Sequence, residues 1–422
     1  MSLLLGCIAD DFTGATDLAS MLVRNGMASV QLIGVPARPV DLAGAQAVVV
    51  ALKSRTIPAA DAVRQSLAAL EWLRQRGANR FLFKYCSTFD STDRGNIGPV
   101  SEALLDALGA EFTIACPALP ENGRSVYLGH LFVGDRLLSD THMRHHPLTP
   151  MTDSNLVSVL QRQSGAPVGL VPYAVVEQGP EAIRRHFEEL RGQGVRQAIA
   201  DAISERHLVD LGTAAADLAL ITGGSGIATG LPDNFRRQGL LDQSRPADEL
   251  PHIEGHAAVL AGSCSAATLD QIARFHEHGP VLELDPMALG EGADEAGRAL
   301  AWADERLGEA PILIASSAPS EQVAKVQERL GRERAGALIE GAMAEIAQGL
   351  VERGVRRLVV AGGETSGAVV EALGVKALRI GPPIDPGVPW TASLGEPELL
   401  LALKSGNFGA PDFFTKAFAK LS

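Results

Sequence analysis

No CxxC pair and no His/Cys pair at metal-ligand spacing occurs in this chain, although it holds four cysteines, Cys7, Cys86, Cys116 and Cys264. Their scatter argues against a disulfide framework and against a structural zinc site. Three of them end or follow apolar runs, where a small buried thiol is expected, while Cys264 lies in a Gly/Ser loop. No apolar run approaches the roughly 18 residues of a membrane-crossing helix. The first residues also lack the basic region, long apolar stretch and cleavage site of a signal peptide. A soluble, cytoplasmic protein is the expectation. Positive charge is scarce as well: 37 Lys and Arg stand against 50 Asp and Glu, a net charge of −13, which speaks against nucleic-acid and acidic-membrane partners. Low-complexity segments and internal repeats are absent. What is present is a 422-residue chain, 46% hydrophobic, long enough for two domains with buried cores.

Short aliphatic or β-branched runs alternate with longer amphipathic stretches, the pattern of parallel sheets covered by helices. The first half predicts strands near 3–8, 29–33, 47–51, 80–84, 112–115, 168–171, 197–200 and 218–222, with helices near 15–25, 59–76, 98–108, 180–192 and 205–215. A polar, proline-containing stretch without periodicity, 240–255, reads as a linker. Beyond it lie strands near 257–261, 281–284, 312–315, 357–361 and 377–380. Helices are expected there near 266–276, 293–307, 366–373 and over 320–353, the last with a break near 331–336. The expected architecture is two α/β domains, 1–239 and 256–422, with mainly parallel sheets and an active-site cleft between them.

Ligands of open α/β sheets sit outside the carboxyl ends of the strands, so the residues that follow each strand matter most. The first strand is followed by "ADDFTGATD", in which Asp10 and Asp11 place two like charges side by side. The third leads into Lys53, Ser54, Arg55 and Thr56, and the fourth into Lys84, Asp90, Ser91, Thr92, Asp93, Arg94 and Asn96. The fifth leads into Asn122, Gly123 and Arg124, and His145–His146 stand beside Pro147. Any one of these has a plain structural explanation: Asp93 or Asn96 can cap a helix, and a single arginine is usually a solvated charge. Together, Lys53, Arg55, Lys84, Arg94 and Arg124 make a cationic rim in an acidic protein, suited to the carboxylate of a small polyhydroxy acid. His146 is a candidate member of that rim.

The second half is furnished differently. "AGSCS", "GGETSG" and "LKSGNFG" place small residues between a strand and a helix, where backbone N–H groups and a helix N-terminus can receive a phosphate chain. Neither a Walker A motif nor G-x-G-x-x-G opens this half, so a nucleotide phosphate site fits better than a dinucleotide fold. Two aspartates together with phosphate-type turns suggest phosphoryl transfer, in which a carboxylate accepts the proton of a hydroxyl and Mg²⁺ neutralises phosphate charge. Three other classes of reading stay open on the residues alone. These are a sugar-acid binding protein, and an aldolase or a dehydratase using Lys84 or the aspartate pair. The metal ligands are unknown.

Taken in order, "ADDFTGATD", "KYCSTFDSTDRGNIG", "CPALPENGRSVYLGHLFVG", "HPLTPMTDSN", "TGGSG", "AGSCS", "GGETSG" and "LKSGNFG" resemble the four-carbon acid sugar kinase family over essentially the whole chain. "CSTFDST" and "LKSRTIP" are most similar to its 3-oxo-tetronate branch; the D-threonate, D-erythronate and L-threonate branches share the framework. The resemblance implies a sugar-acid-binding N-terminal domain and a nucleotide-binding C-terminal domain. It also implies ATP-dependent phosphorylation of the C4 hydroxyl, and a product handed to a decarboxylase. It maps ATP contacts onto Ser263 or Ser265, onto the turn Gly362, Gly363, Glu364, Thr365 and Ser366, and onto Gly406. For the catalytic base, Asp11 is preferred to Asp10. Ser91, Thr92 and Asn96 join the cationic residues as expected substrate contacts. A homo-oligomer is neither required nor excluded.

Overall fold

The computed structural model describes residues 3–146, 148–241, 246–308, 310–317, 326 and 328–421. Two compact units emerge, Met1–Asp248 and Glu249–Ser422. The strands of the first are β1 (Leu5–Ala9), β2 (Ser29–Ile33), β3 (Ala47–Ala51), β4 (Arg80–Lys84), β5 (Thr113–Cys116), β6 (Arg124–Tyr127), β7 (His130–Val133), β8 (Arg136–Leu137), β9 (Val168–Val171), β10 (Gln197–Ala200) and β11 (Leu220–Gly223). Within this unit β2-β3-β1-β4-β11-β5-β10-β9 lie side by side, and each neighbouring pair is parallel. The sequence AVVVA of β3 is buried at every position, as a sheet covered on both faces requires.

Helix Phe12–Arg24 carries the chain from β1 outward to β2, and helix Ala59–Arg74 carries it from β3 back across β1 to β4. Parallel crossovers are right-handed, so these opposite steps put the two helices on opposite faces. The reversal leaves a crevice outside the carboxyl end of β1. Residues 124–137, where no strand was expected, form a small antiparallel sheet, β6-β7-β8. Its strands are too short for their alternation to show, but Gly129 and Gly134 mark the turns with φ of 73° and 63°. Asp201, fully buried just after β10, fixes this sheet. Its carboxylate accepts the N–H groups of Leu128, Gly129 and Tyr173 at 2.7, 2.9 and 2.8 Å.

The second unit adds β12 (His256–Ala261), β13 (Val281–Glu283), β14 (Ile312–Ala315), β15 (Val355–Ala361), β16 (Ala377–Asp385), β17 (Val388–Ser393) and β18 (Leu400–Lys404). Their order is β13-β14-β12-β15-β18-β17-β16. The sheet is parallel as far as β18, while β17 runs antiparallel to both of its neighbours; β17 was not anticipated. Its Trp390 is fully buried and donates Nε1–H to Ala417 O at 2.8 Å, tying the C-terminal helix Phe413–Ala419 to the sheet. The helix expected over 320–353 is observed as Arg332–Glu352, preceded by Gly331 at φ 82°. Positions 320–325 and 327 of that expectation, 242–245 of the expected linker, and Pro147 lie outside the described residues. No helix among the described residues is long and apolar enough to cross a membrane.

Replacing Asp201 by Ala strands three backbone donors at the base of the β6–β8 sheet. An unmade buried hydrogen bond costs about 1–3 kcal/mol, so D201A should destabilise the chain by at least about 2 kcal/mol in urea unfolding. An unchanged midpoint would show that Asp201 does not hold this sheet.

Candidate active site

Outside the carboxyl end of β1, three loops are tied together through one residue. Asp10 donates its N–H to Lys84 O at 3.0 Å, and its carbonyl accepts from Ser54 N at 2.9 Å and Arg55 N at 3.2 Å. The loops after β1, β3 and β4 are adjacent because β1 lies between β3 and β4. The side chains close the same knot. Arg55 grips the buried Asp10 with two bonds, Nε to Oδ2 at 2.9 Å and Nη2 to Oδ1 at 2.8 Å, and Nη2 also reaches Asp11 Oδ1 at 2.7 Å. Its Nη1 lies 3.7 Å from Asp90 Oδ2. One guanidinium thus faces three carboxylates.

Asp11 has a second task. It is the N-cap of helix Phe12–Arg24, taking Gly14 N–H on Oδ1 at 3.1 Å and the Thr13 hydroxyl on Oδ2 at 3.0 Å. A β-carbon on residue 14 would stand 2.2 Å from Asp11 Oδ1 and 3.0 Å from Lys84 Nζ, which accounts for glycine at that place. Asp90 is held by Thr88 Oγ1 at 2.6 Å, and both Phe89 and Asp90 occupy the left-handed region with φ of 66° and 38°. Such conformations cost of order 1 kcal/mol or more each, and the packing of Phe89 edge-on to Tyr85 at 5.5 Å helps to hold them.

The charges respond to burial. Desolvation pushes the Asp10 carboxyl above its ordinary range, with Arg55 opposing it. Burial works against the Arg55 charge too, yet Asp10 and Asp11 outweigh it and hold the guanidinium well above its usual value. Burial, with Asp90 nearby, pushes the Cys86 thiol up to about 11, so Cys86 is an inert thiol at neutral pH. Asp17, which the sequence reading passed over, also belongs to this neighbourhood. Burial pushes its carboxyl up, while Lys84 and Ser225 pull it down. Its signal was its place in the helix, one turn after Gly14 and on the same face.

The other expected substrate contacts divide into two groups. Lys84 is buried and donates to Tyr85 O at 2.9 Å. Asn96 spends Nδ2 on the carbonyls of Ser54, Arg55 and Ile57 at 2.7, 3.2 and 3.0 Å, so it shapes the Arg55 loop, while its buried Oδ1 has no partner among the described residues. Ser91 pairs with Gln163, and Thr92 gives its carbonyl to the same side chain. Lys53 and Arg94 are exposed, and among the described residues neither side chain has a partner. Arg124 binds Asn122 O and leaves a buried Nε unpaired, and His146 pairs through Nδ1 with Thr149. Asp10, Asp11, Arg55, Lys84 and Asn96 are therefore drawn to one place, while Arg124 and His146 take partners on other loops.

In the second unit the turns after β12, β15 and β18 meet. Gly262 N and Ser263 N donate to Ala361 O at 2.9 and 3.2 Å, and Gly362 N donates to Lys404 O at 2.8 Å. Ser265 caps helix Ala266–Phe275, accepting Thr268 N–H at 3.3 Å, and its hydroxyl reaches Gly406 O at 2.7 Å. Gly406 has no room for a side chain, since a β-carbon there would lie 2.3 Å from Ser263 Oγ. Helix Gly363–Ala372 starts at the second turn, with Gly363 and Glu364 exposed and Thr365 and Ser366 buried. The helices Ala266–Phe275 and Gly363–Ala372 both begin at these turns, and two helix N-termini suit a phosphate chain. Lys404 and Thr268, tied to the same turns, were not singled out from sequence. Among the described residues, no group of three or more His, Cys, Asp and Glu side chains is placed to hold a metal ion.

Two family models match the chain: a sugar-binding N-terminal domain over residues 5–231 and a nucleotide-binding C-terminal domain over residues 258–414. The curated proteins named 3-oxo-tetronate kinase from Cupriavidus necator and Pseudomonas fluorescens are 61% and 60% identical to it, with 99% of this chain and 97% of each of theirs aligned. This chain belongs to the four-carbon acid sugar kinase family, in its 3-oxo-tetronate kinase branch. Solved structures agree at the level of the fold. A Salmonella typhimurium protein described as a candidate tRNA synthase superposes with a TM-score of 0.90 at 42% identity, covering 99% of both chains. A Haemophilus influenzae protein superposes with a TM-score of 0.86, also at 42% identity, over 99% of this chain and 100% of its own. In this family member the Asp10–Asp11–Arg55 knot lies within the residues matched by the sugar-binding model, and the three meeting turns lie within those matched by the nucleotide-binding model.

Breaking a buried, hydrogen-bonded ion pair from one side costs about 3–5 kcal/mol, whereas removing both partners costs far less. R55M should therefore destabilise the chain by about 3 kcal/mol in denaturant unfolding, and D10N/R55M should be more stable than R55M. Equal stabilities of the single and double variants would show that the pair carries no such coupling.

Proposed function

We propose that this chain is an ATP-dependent kinase that transfers a phosphoryl group to the C4 hydroxyl of 3-oxo-tetronate. The observation that carries the reading is the full-length 61% identity to a 3-oxo-tetronate kinase, which spans both family domains. The N-terminal domain holds the sugar acid and the C-terminal domain holds the nucleotide. The exposed side chains of Lys53 and Arg94 are free to meet the substrate carboxylate; Arg55 is the residue that fixes the aspartates.

Asp11 is the base of this reading. Its carboxylate is held in one orientation, as the N-cap of helix Phe12–Arg24 and beside the Arg55 guanidinium. Asp10 is less accessible, being buried and gripped at both oxygens by Arg55. In the C-terminal domain the amides and hydroxyls around Ser263, Ser265, Thr365 and Gly406 receive the phosphate chain. A Mg²⁺ ion bound to the nucleotide's phosphates would neutralise their charge; such ions keep several waters and need few protein ligands.

The product carries a carbonyl at C3, β to the carboxylate, and so is chemically ready for loss of CO₂ by a decarboxylase. The sister substrates threonate and erythronate differ in having a hydroxyl at C3, and they form the second reading. A coupled assay of ADP release across these acids decides between them: 3-oxo-tetronate should give the highest kcat/KM, and a silent panel would overturn the kinase reading. D11N should lower kcat by roughly 100-fold or more with a smaller change in KM, since positioned general bases contribute about 10² to 10⁴. Full activity of D11N would remove Asp11 from the role of base.

A further inference from the structure

Lys404 is fully buried at the end of β18. Its ammonium donates to three neutral oxygens, Thr268 Oγ1 at 3.0 Å, Gly406 O at 2.9 Å and Ser405 O at 3.3 Å. No carboxylate pairs with it among the described residues. The ionisable groups on the elements around it are occupied or turned to solvent. Asp270 and Arg274 on helix Ala266–Phe275 are exposed, as are Glu364 and Glu371 on helix Gly363–Ala372 and Cys264 in the turn before the first. Asp385 of β16 is bound to Lys416 and to Ala410 N, and Arg356 and Arg357 of β15 bind carbonyls near the other end of the strand. A buried cation without a counter-ion is costly, and here it lies beneath the three turns that suit a phosphate chain.

The same ammonium also sets the geometry of those turns. Gly406 O accepts from Lys404, from Ser265 Oγ at 2.7 Å and from Thr268 Oγ1 at 2.9 Å. In a planar trans peptide the C=O and the following N–H point opposite ways. A Gly406 carbonyl locked inward therefore directs the Asn407 N–H away from the buried lysine. We propose that Lys404 is a positioning residue of the nucleotide site, whose unpaired ammonium fixes the Gly406 turn and supplies the positive charge that the nucleotide's phosphates neutralise, so that nucleotide binds to the protonated form. Nothing in this places Lys404 in contact with the ligand; its donors are already used, and it acts through Gly406 and through its field.

The linkage has a definite sign. Burial lowers the ammonium pKa to about 8, so the free protein carries Lys404 partly neutral just above neutral pH. A bound anion favours the charged form and raises that pKa. Binding then takes up a proton, and affinity is flat below about pH 7, then falls by up to roughly tenfold per pH unit above about 8. The inference rests on the reading of the C-terminal unit as the nucleotide site.

The test is calorimetric titration of ADP into the full chain in buffers of different ionisation enthalpy, in a C264S background that removes the neighbouring exposed thiol. About 0.2 proton should be taken up per ADP at pH 7.5 and about 0.8 at pH 8.5, and K404M should lose this uptake and bind ADP more weakly. The proton count on Lys404-containing protein decides the matter even if K404M fails to fold. Binding of ADP with no proton uptake at pH 8.5, or the same uptake in K404M, overturns the assignment of Lys404 and leaves the nucleotide reading standing. No binding of ADP at any pH overturns the nucleotide reading, and this inference with it.

Discussion

The Arg55 fork is the constraint on which the rest of the sugar-binding unit depends. Two adjacent aspartates at a strand end repel each other, and one of them is buried. Asp11 is held by Gly14 N–H and the Thr13 hydroxyl, and both aspartates are bound by Arg55. With it, both carboxylates are fixed to within a hydrogen bond, and the loops after β1, β3 and β4 are held at one level. Asn96 supports the arrangement from below by taking three carbonyls of the Arg55 loop. The sequence reading placed Arg55 on the substrate's carboxylate; in the structure its donors already serve the protein's own carboxylates.

Most of the parallel framework was legible because fully buried strands are continuous apolar runs of four to seven residues, a pattern that little else in a chain imitates. β3 and β14, AVVVA and ILIA, were placed to the residue for that reason; β2, β4, β9 and β10 were placed to the residue on their aliphatic and aromatic content, although they carry polar residues or are only partly buried. What escaped was set by tertiary context. β6–β8 are strands of two to four residues whose stability comes from Asp201, more than 60 positions further along the chain. β17 is antiparallel and carries Pro389 and Thr391, so it reads like a turn between stronger neighbours. The site was legible as a set of loops but not as a set of contacts: strand order alone says which loops are neighbours, while the partners of Lys84, Asn96, Ser91 and Arg124 depend on where each side chain can reach. Asp17 and Lys404 were both inside quoted motifs and both overlooked, because burial of a charge leaves no mark in a linear pattern.

The two units solve opposite electrostatic problems. In the first, an excess of negative side chains is compensated by one shared guanidinium. In the second, the buried ammonium of Lys404 has no compensating carboxylate among the described residues, and a hydroxyl and carbonyls surround it. An acidic protein that handles anions has to place its few positive charges where they count most, and burial does that, because a low-dielectric setting strengthens the interaction of one charge with a nearby anion.

The position of β11 has a consequence for how the chain is made. This strand enters the middle of its sheet, between β4 and β5, and the contact between Tyr85 and Thr222 joins residues 137 apart in sequence. During synthesis β4 and β5 are therefore complete long before their common neighbour exists. Until residue 223 leaves the ribosome, each presents an open row of amides and carbonyls flanked by fully buried apolar side chains, the kind of edge that other strands join. A nascent chain of this topology carries its greatest exposure to mispairing at about half its length, and the burden of shielding that interval falls on the cell.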